Sequence, residues 1–195
     1  MVSPDDDNND KIKEGDQTEE ELIQLQAWYD KVQATRTPGE IYAVLSDIYS
    51  PKRVTALLPH EGILPGFAMN LTTTDDEGKP WDFDRPEQRA KARRKVEEEK
   101  PTILIGSPMC TAFCHLQAIN FSRMDPERVR TILTRARMHL AFSCELYRMQ
   151  LAGGRHFIHE HPAAATSWSE PCICRLLRTP GVQVATVDAC QYGME

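Results

Sequence analysis

The chain has 195 residues, 41% of them apolar, and a formal net charge of -6. That length fits one domain with appendages. No apolar run approaches the roughly 20 residues that cross a bilayer, and the N-terminal tail holds no apolar signal segment, so a membrane partner is not expected. The charge is concentrated: residues 1–21 hold nine acidic and two basic residues, which leaves 20 acidic and 21 basic in the remainder. Bulk charge on the body therefore neither demands nor forbids a nucleic-acid partner.

Residues 1–17 are too acidic and polar to bury a core and read as a disordered tail. Thr18-Glu19-Glu20-Glu21 has the form of a capped helix start, and an N-terminal helix is expected over 18–36, with Leu22, Leu25, Trp28, Tyr29 and Val32 on one face. A domain spanning 40–195 follows. Its first strand is expected near Asp47-Ile48-Tyr49, running into Ser50-Pro51. Val54 to Leu58 reads as helix, Gly66 to Thr72 as a second strand, and Thr73 to Asp84 as a polar loop anchored by Trp81 and Phe83. Pro86 to Lys100 is a charged helix in which Arg89 to Lys95 precede three glutamates. These cations could track phosphates, or could form a solvated face paired with Glu97 to Glu99.

Ile103-Leu104-Ile105-Gly106 is a short, fully apolar run between Pro101 and Pro108, as expected of a strand covered on both faces. It delivers Ser107-Pro108-Met109-Cys110 at its carboxyl end, and a short helix with Phe113, Leu116 and Ile119 should follow. Asp125-Pro126-Glu127 opens the clearest helix, with an apolar stripe of Val129, Ile132, Leu133, Ala136, Leu140, Tyr147 and Leu151, closed by Gly153-Gly154. His156 to Glu160 is a strand, Ser169 to Leu177 a helix, and Val182 to Val187 the last strand, ending at Asp188-Ala189-Cys190. Strands alternating with helices imply right-handed crossovers and a Rossmann-like α/β fold, a mostly parallel sheet flanked by helices.

Ligands of such sheets bind beyond the carboxyl ends of the strands. Cys110, Glu160 and Asp188 would all lie on that edge. A thiol beside a carboxylate suits covalent attack on an electron-poor ring: the thiolate adds, and the acid holds a proton on a ring nitrogen. The helix start after Cys110 would favour its thiolate. A cysteine at a strand end also serves commonly as a small hydrophobe.

Ser107-Pro108-Met109-Cys110-Thr111-Ala112-Phe113-Cys114 resembles the Pro-Cys loop of the DNA cytosine-5 methyltransferases. The resemblance implies a nucleophile at Cys110 that attacks a flipped-out cytosine and, from His159-Glu160-His161-Pro162, a ring-contacting carboxylate at Glu160. It also implies S-adenosylmethionine as cofactor, held near Tyr49, Ser50, Asn70, Asp82, Ser107 and Pro108. The pattern is degenerate: Tyr49-Ser50-Pro51 stands in place of a glycine-rich loop, Asn70 in place of an acid, and Met109 in place of a second proline. The chain ends at Glu195 before any target-recognition domain, so this reading expects a domain truncated at its C-terminus. The stretches from Tyr49-Ser50-Pro51 to Cys190-Gln191-Tyr192-Gly193 also resemble a segment of protist retroelement-type polyproteins. That resemblance implies the alternative of a non-catalytic nucleic-acid-binding or scaffolding segment.

Other chemistries fit less well. His156, His159, His161, Cys172, Cys174 and Cys190 contain zinc-ligand types, but Cys172-Ile173-Cys174 lacks the two-residue spacer of a zinc hook, and the deaminase spacing is missed by one residue. Ser107 with His159 or His161 and Asp188 could form a triad, but no nucleophile elbow surrounds Ser107. The six cysteines are scattered, not arranged as a disulfide scaffold, and point to reduced thiols in the nucleus or cytoplasm.

Overall fold

The computed structural model describes residues 44–50, 55 and 63–188. The expected tail over 1–17, the helix over 18–36, Pro51 and the Cys190 end lie outside the described residues, as does the helix expected over 54–58 except for Thr55, which is helical.

Four strands, Val44–Ile48 (β1), Leu64–Met69 (β2), Ile103–Gly106 (β3) and His156–His159 (β4), form one all-parallel sheet in the order β2-β1-β3-β4. Among the described residues four complete helices accompany them: Pro86–Glu99 (α1), His115–Phe121 (α2), Pro126–Ala152 (α3) and Pro171–Leu177 (α4). This is the α/β architecture that the alternating sequence pattern predicts. The registers pair Ile48 with Met69 and with Gly106, and Gly106 with His159, so all four strands end on one line. The chain leaves β1 for β2 on one side and returns to β3 on the other. The strand order therefore reverses between β1 and β3, which is where such sheets open a crevice.

Both early strands begin and end sooner than expected. β1 stops at Ile48 because Tyr49 adopts a left-handed φ of 66° that no ladder continues. β2 stops at Met69 because the Asn70 side-chain oxygen captures the amides of Thr72 and Thr73 and turns the chain.

Ile48, Met69 and Leu104 point from the sheet into a core completed by Phe83, Val96, Leu140, Leu146 and Tyr147. In α1 the buried residues are Gln88, Ala92 and Val96, one residue per turn, so the helix needs only a narrow contact stripe. Its charged face is not paired mainly within the helix. Lys95 does bond Glu99, but Arg93 grips both oxygens of Glu145 on α3, at 2.7 and 2.8 Å, and Lys91 reaches Asp75 at 2.6 Å.

Asp125 caps α3 by accepting from the Arg128 amide at 3.0 Å, and Pro126 occupies the first helical turn. The buried stripe of α3 differs from the apolar one read in the sequence. Val129, Ile132 and Leu133 are only half-buried, whereas the polar residues His139, Ser143 and Gln150 are buried. Gln150 earns its place through hydrogen bonds to the carbonyls of Pro101 and His156, which join the helix to the starts of β3 and β4.

Two further expectations are corrected. Residues 182–187 form no strand. Val184 and Val187 are exposed, and a cleft of about 450 Å³ is lined by this segment and by β4, so no ladder closes between them. Asp188 therefore does not stand at an aligned strand end. The helix after Cys110 is also displaced: Thr111–Phe113 is a single 3₁₀ turn, and Cys114, not Cys110, occupies the N-cap of α2.

Candidate functional site at the strand ends

The residues immediately beyond the four aligned strands are Tyr49, Asn70, Ser107 and Glu160. Every one of these positions was selected from the sequence, and the parallel register sets them in a row. A pocket of about 240 Å³ opens over the β1 and β2 end of this row, and Tyr49, Asn70, Trp81, Asp82, Phe83, Asp84, Met109, Arg135 and His139 are among the residues that line it.

Aromatic rings shape the pocket. Tyr49 meets Phe83 edge-on at 4.9 Å, and Phe83 packs on Phe142 at 5.2 Å. Asp82 accepts from the Asp84 amide at 3.1 Å and from Arg85 at 3.3 Å. Asn70 is committed to the fold: its amide donates to the Ser50 carbonyl at 2.5 Å, and its oxygen accepts from Thr72 twice and from Thr73. It thus locks the turn after β2 to the turn after β1.

Three residues of this site, Asp84, Arg135 and His139, are not legible as site residues in the sequence. Asp84 receives two hydrogen bonds from Arg135, which holds its carboxyl below the usual range, and lies 3.0 Å from His139 Nε2. His139 Nδ1 lies 2.9 Å from the Tyr49 hydroxyl. Burial pushes the Tyr49 phenol up and the His139 imidazole down. The only advance signal was a histidine at a helical spacing of three from Ala136 within an apolar stripe. Outside the pocket lining, Asp47 is wholly buried on β1, and its carboxyl is pushed up to about 6 by desolvation that the Thr55 backbone only partly offsets.

The Cys110 loop occupies the other half of the row. Ser107 donates its amide to the Ile48 carbonyl at 3.3 Å, and Glu160 donates its amide to the Gly106 carbonyl at 3.0 Å. His161 clamps the loop directly. A carbonyl can only accept, so Nε2 donates to Pro108 O at 2.8 Å, and Nδ1 receives the Ser167 hydroxyl at 2.6 Å. The loop carrying Cys110 and the strand end carrying Glu160 are therefore fastened side by side. Their functional groups face different openings: Glu160 is exposed and lines the larger cleft beside Trp168 and residues 181–187, while Cys110, half-buried, lines neither that cleft nor the smaller pocket. Met109 is the loop residue that reaches the small pocket.

The histidines do not assemble a metal site. His159 shares its Nδ1 with the Tyr147 hydroxyl at 3.1 Å, and burial beside His161 pushes its pKa down to about 4. The interaction of Cys172 with the buried Cys144 thiol pushes the Cys172 pKa down. Among the described residues no three His, Cys, Asp or Glu side chains are grouped to hold a metal ion, and no helix is long and apolar enough to cross a membrane. Compared with family models, curated proteins and solved structures, the chain matches none.

Proposed function

We propose that this chain is a methyltransferase-like domain directed at a nucleobase, with an adenosyl-bearing cofactor in the small pocket and Cys110 as the nucleophile. One observation carries the reading. Tyr49, Asn70 and Asp82, which come from three separate segments, line a single pocket over the ends of β1 and β2, beside the point where the strand order reverses, and the Cys110 loop contributes Met109 to the same wall.

The pocket fits part of S-adenosylmethionine. Trp81, Phe83 and Tyr49 offer ring faces of the size of adenine, and Asp82 offers an acceptor. Asn70 is saturated by its own turns and is not counted among the groups that would hold the ribose. Bound there, the cofactor would supply an electrophilic methyl group. The chain supplies the rest. The Cys110 sulfur would add to an electron-poor ring carbon, and the Glu160 carboxyl would hydrogen-bond the ring nitrogen that takes up the displaced electron pair. That second role requires the Glu160 carboxyl to turn from the larger cleft toward the thiol. His161 keeps the nucleophile loop in register through Pro108.

The nucleic-acid-scaffold reading draws less support from the charges. Arg93, Lys91 and Lys95 of the basic helix, and Arg135 and Arg137 of α3, are committed to carboxylates. A covalent trap tests the proposal: a duplex carrying 5-fluorocytosine, incubated with S-adenosylmethionine, should form an adduct that is lost in Cys110→Ala and retained in Cys114→Ala. Absence of an adduct with the unsubstituted chain would favour the scaffold.

A further inference from the structure

The pocket wall holds a polar chain that methyl transfer does not use. Arg135 bonds both oxygens of Asp84, at 2.8 and 2.5 Å, Asp84 Oδ1 lies 3.0 Å from His139 Nε2, and His139 Nδ1 lies 2.9 Å from Tyr49 Oη. All four residues line the same pocket.

Chemistry fixes the direction of every hydrogen in this chain. Asp84, ionised beside a guanidinium, can only accept, so His139 Nε2 carries the proton. The His139 ring is 4% exposed, and burial keeps it neutral, which leaves Nδ1 as a lone pair. The Tyr49 hydroxyl must then donate to Nδ1. The His139 carbonyl is a more distant acceptor, at 3.5 Å, and the Ser143 hydroxyl also lies at the phenol oxygen and can donate to it. With its proton turned inward, the phenol oxygen has only lone pairs left to offer a ligand. Tyr49 itself is held in a left-handed backbone conformation at the end of the central strand, a strained geometry that the surrounding packing maintains.

We propose that Asp84, His139 and Tyr49 form a specificity relay that fixes the Tyr49 oxygen as an acceptor, so that the pocket takes a flat heteroaromatic ring through its amino N–H. This rests on the reading that the pocket binds a ligand, and adds how that ligand is chosen. A ring of the same size without the amino group leaves a desolvated lone pair of that oxygen without a donor and is disfavoured. The relay also reverses in acid. A protonated His139 donates from Nδ1, and the phenol proton swings toward the ligand. The groups facing His139 are Asp84, which favours the charged ring, and Arg135 and Arg89, which oppose it together with burial.

Two ribosides that differ only in that amino group, adenosine and purine riboside, separate the outcomes. Calorimetric titration at pH 7.5 should show adenosine binding about tenfold more tightly, the worth of one added hydrogen bond to a desolvated acceptor. Tyr49→Phe, which keeps the ring, should erase most of that preference, and Asp84→Asn, which frees the imidazole tautomer, should weaken it. Nitrogen-15 spectra of His139 should show the proton on Nε2. Equal binding of the two ribosides, an unchanged preference in Tyr49→Phe, or a proton on Nδ1 overturns the relay. If S-adenosylmethionine binds while the ribosides are not discriminated, the relay alone falls. If neither S-adenosylmethionine nor adenosine binds, the cofactor reading falls with it.

Discussion

Asp47 is a carboxyl that the fold holds at a cost. Burial pushes its pKa up to about 6, from an ordinary carboxylate value of 3.8. A raised carboxyl binds its proton more tightly in the native state, so the penalty is absent below about pH 4, grows between about 4 and 6, and is complete above 6. Asp47→Asn, which keeps the shape without the charge, should therefore stabilise the protein at pH 7.5 by on the order of 2–3 kcal/mol more than at pH 4. Denaturant unfolding at the two pH values checks this, and an equal effect at both would mean that the carboxylate is well solvated or paired. Gly106 presents the opposite situation, a position with no room. A Cβ there would lie 2.0 Å from the hydroxyl of Tyr147, a residue with no exposed surface. Gly106→Ala should cost about 1–3 kcal/mol through forced repacking. It should also disturb the Cys110 loop, because the Gly106 carbonyl accepts from both Tyr147 and the Glu160 amide. A melting temperature within a degree of the parent would show that Tyr147 can move aside.

The elements were legible in the sequence where a single local signal sets them. Pro86 and Asp125-Pro126 mark the starts of α1 and α3, and the apolar run at 103–106 marks β3, because caps and hydrophobic runs act within a few residues. What was not legible depends on contacts distant in the chain. The partners of Arg93 and Arg135 lie 52 and 51 positions away, so the charge pattern of α1 alone reveals the Lys95–Glu99 pair but not these. The alternation in Val182 to Val187 predicts a strand, yet a strand needs an edge to join, and the segment stays unpaired beside β4. Tyr49, Asn70 and Asp82 are named by the family resemblance, two of them just beyond strand ends, whereas Asp84 and His139 carry no local mark because their hydrogen bonds exist only where the loop and α3 meet. The Arg93–Glu145 pair is partly exposed on both sides. A double-mutant cycle on it should therefore yield no more than about 1 kcal/mol, and a larger coupling would indicate that it is shielded from solvent.

At the scale of the whole molecule, the account rests on a parallel sheet whose strand order reverses beside a pocket that the chain fills with aromatic rings and a polar relay. A ligand that binds only the folded protein must stabilise it, which makes the pocket accessible to direct measurement. Calorimetric titration of S-adenosylmethionine into the full chain is the decisive experiment, with Asp82→Ala and Trp81→Ala run beside it. The account predicts saturable one-to-one binding to the parent chain, weakened about tenfold or more in either variant as an acceptor or a stacking face is lost. No binding at millimolar ligand, or binding unchanged in both variants, would contradict it.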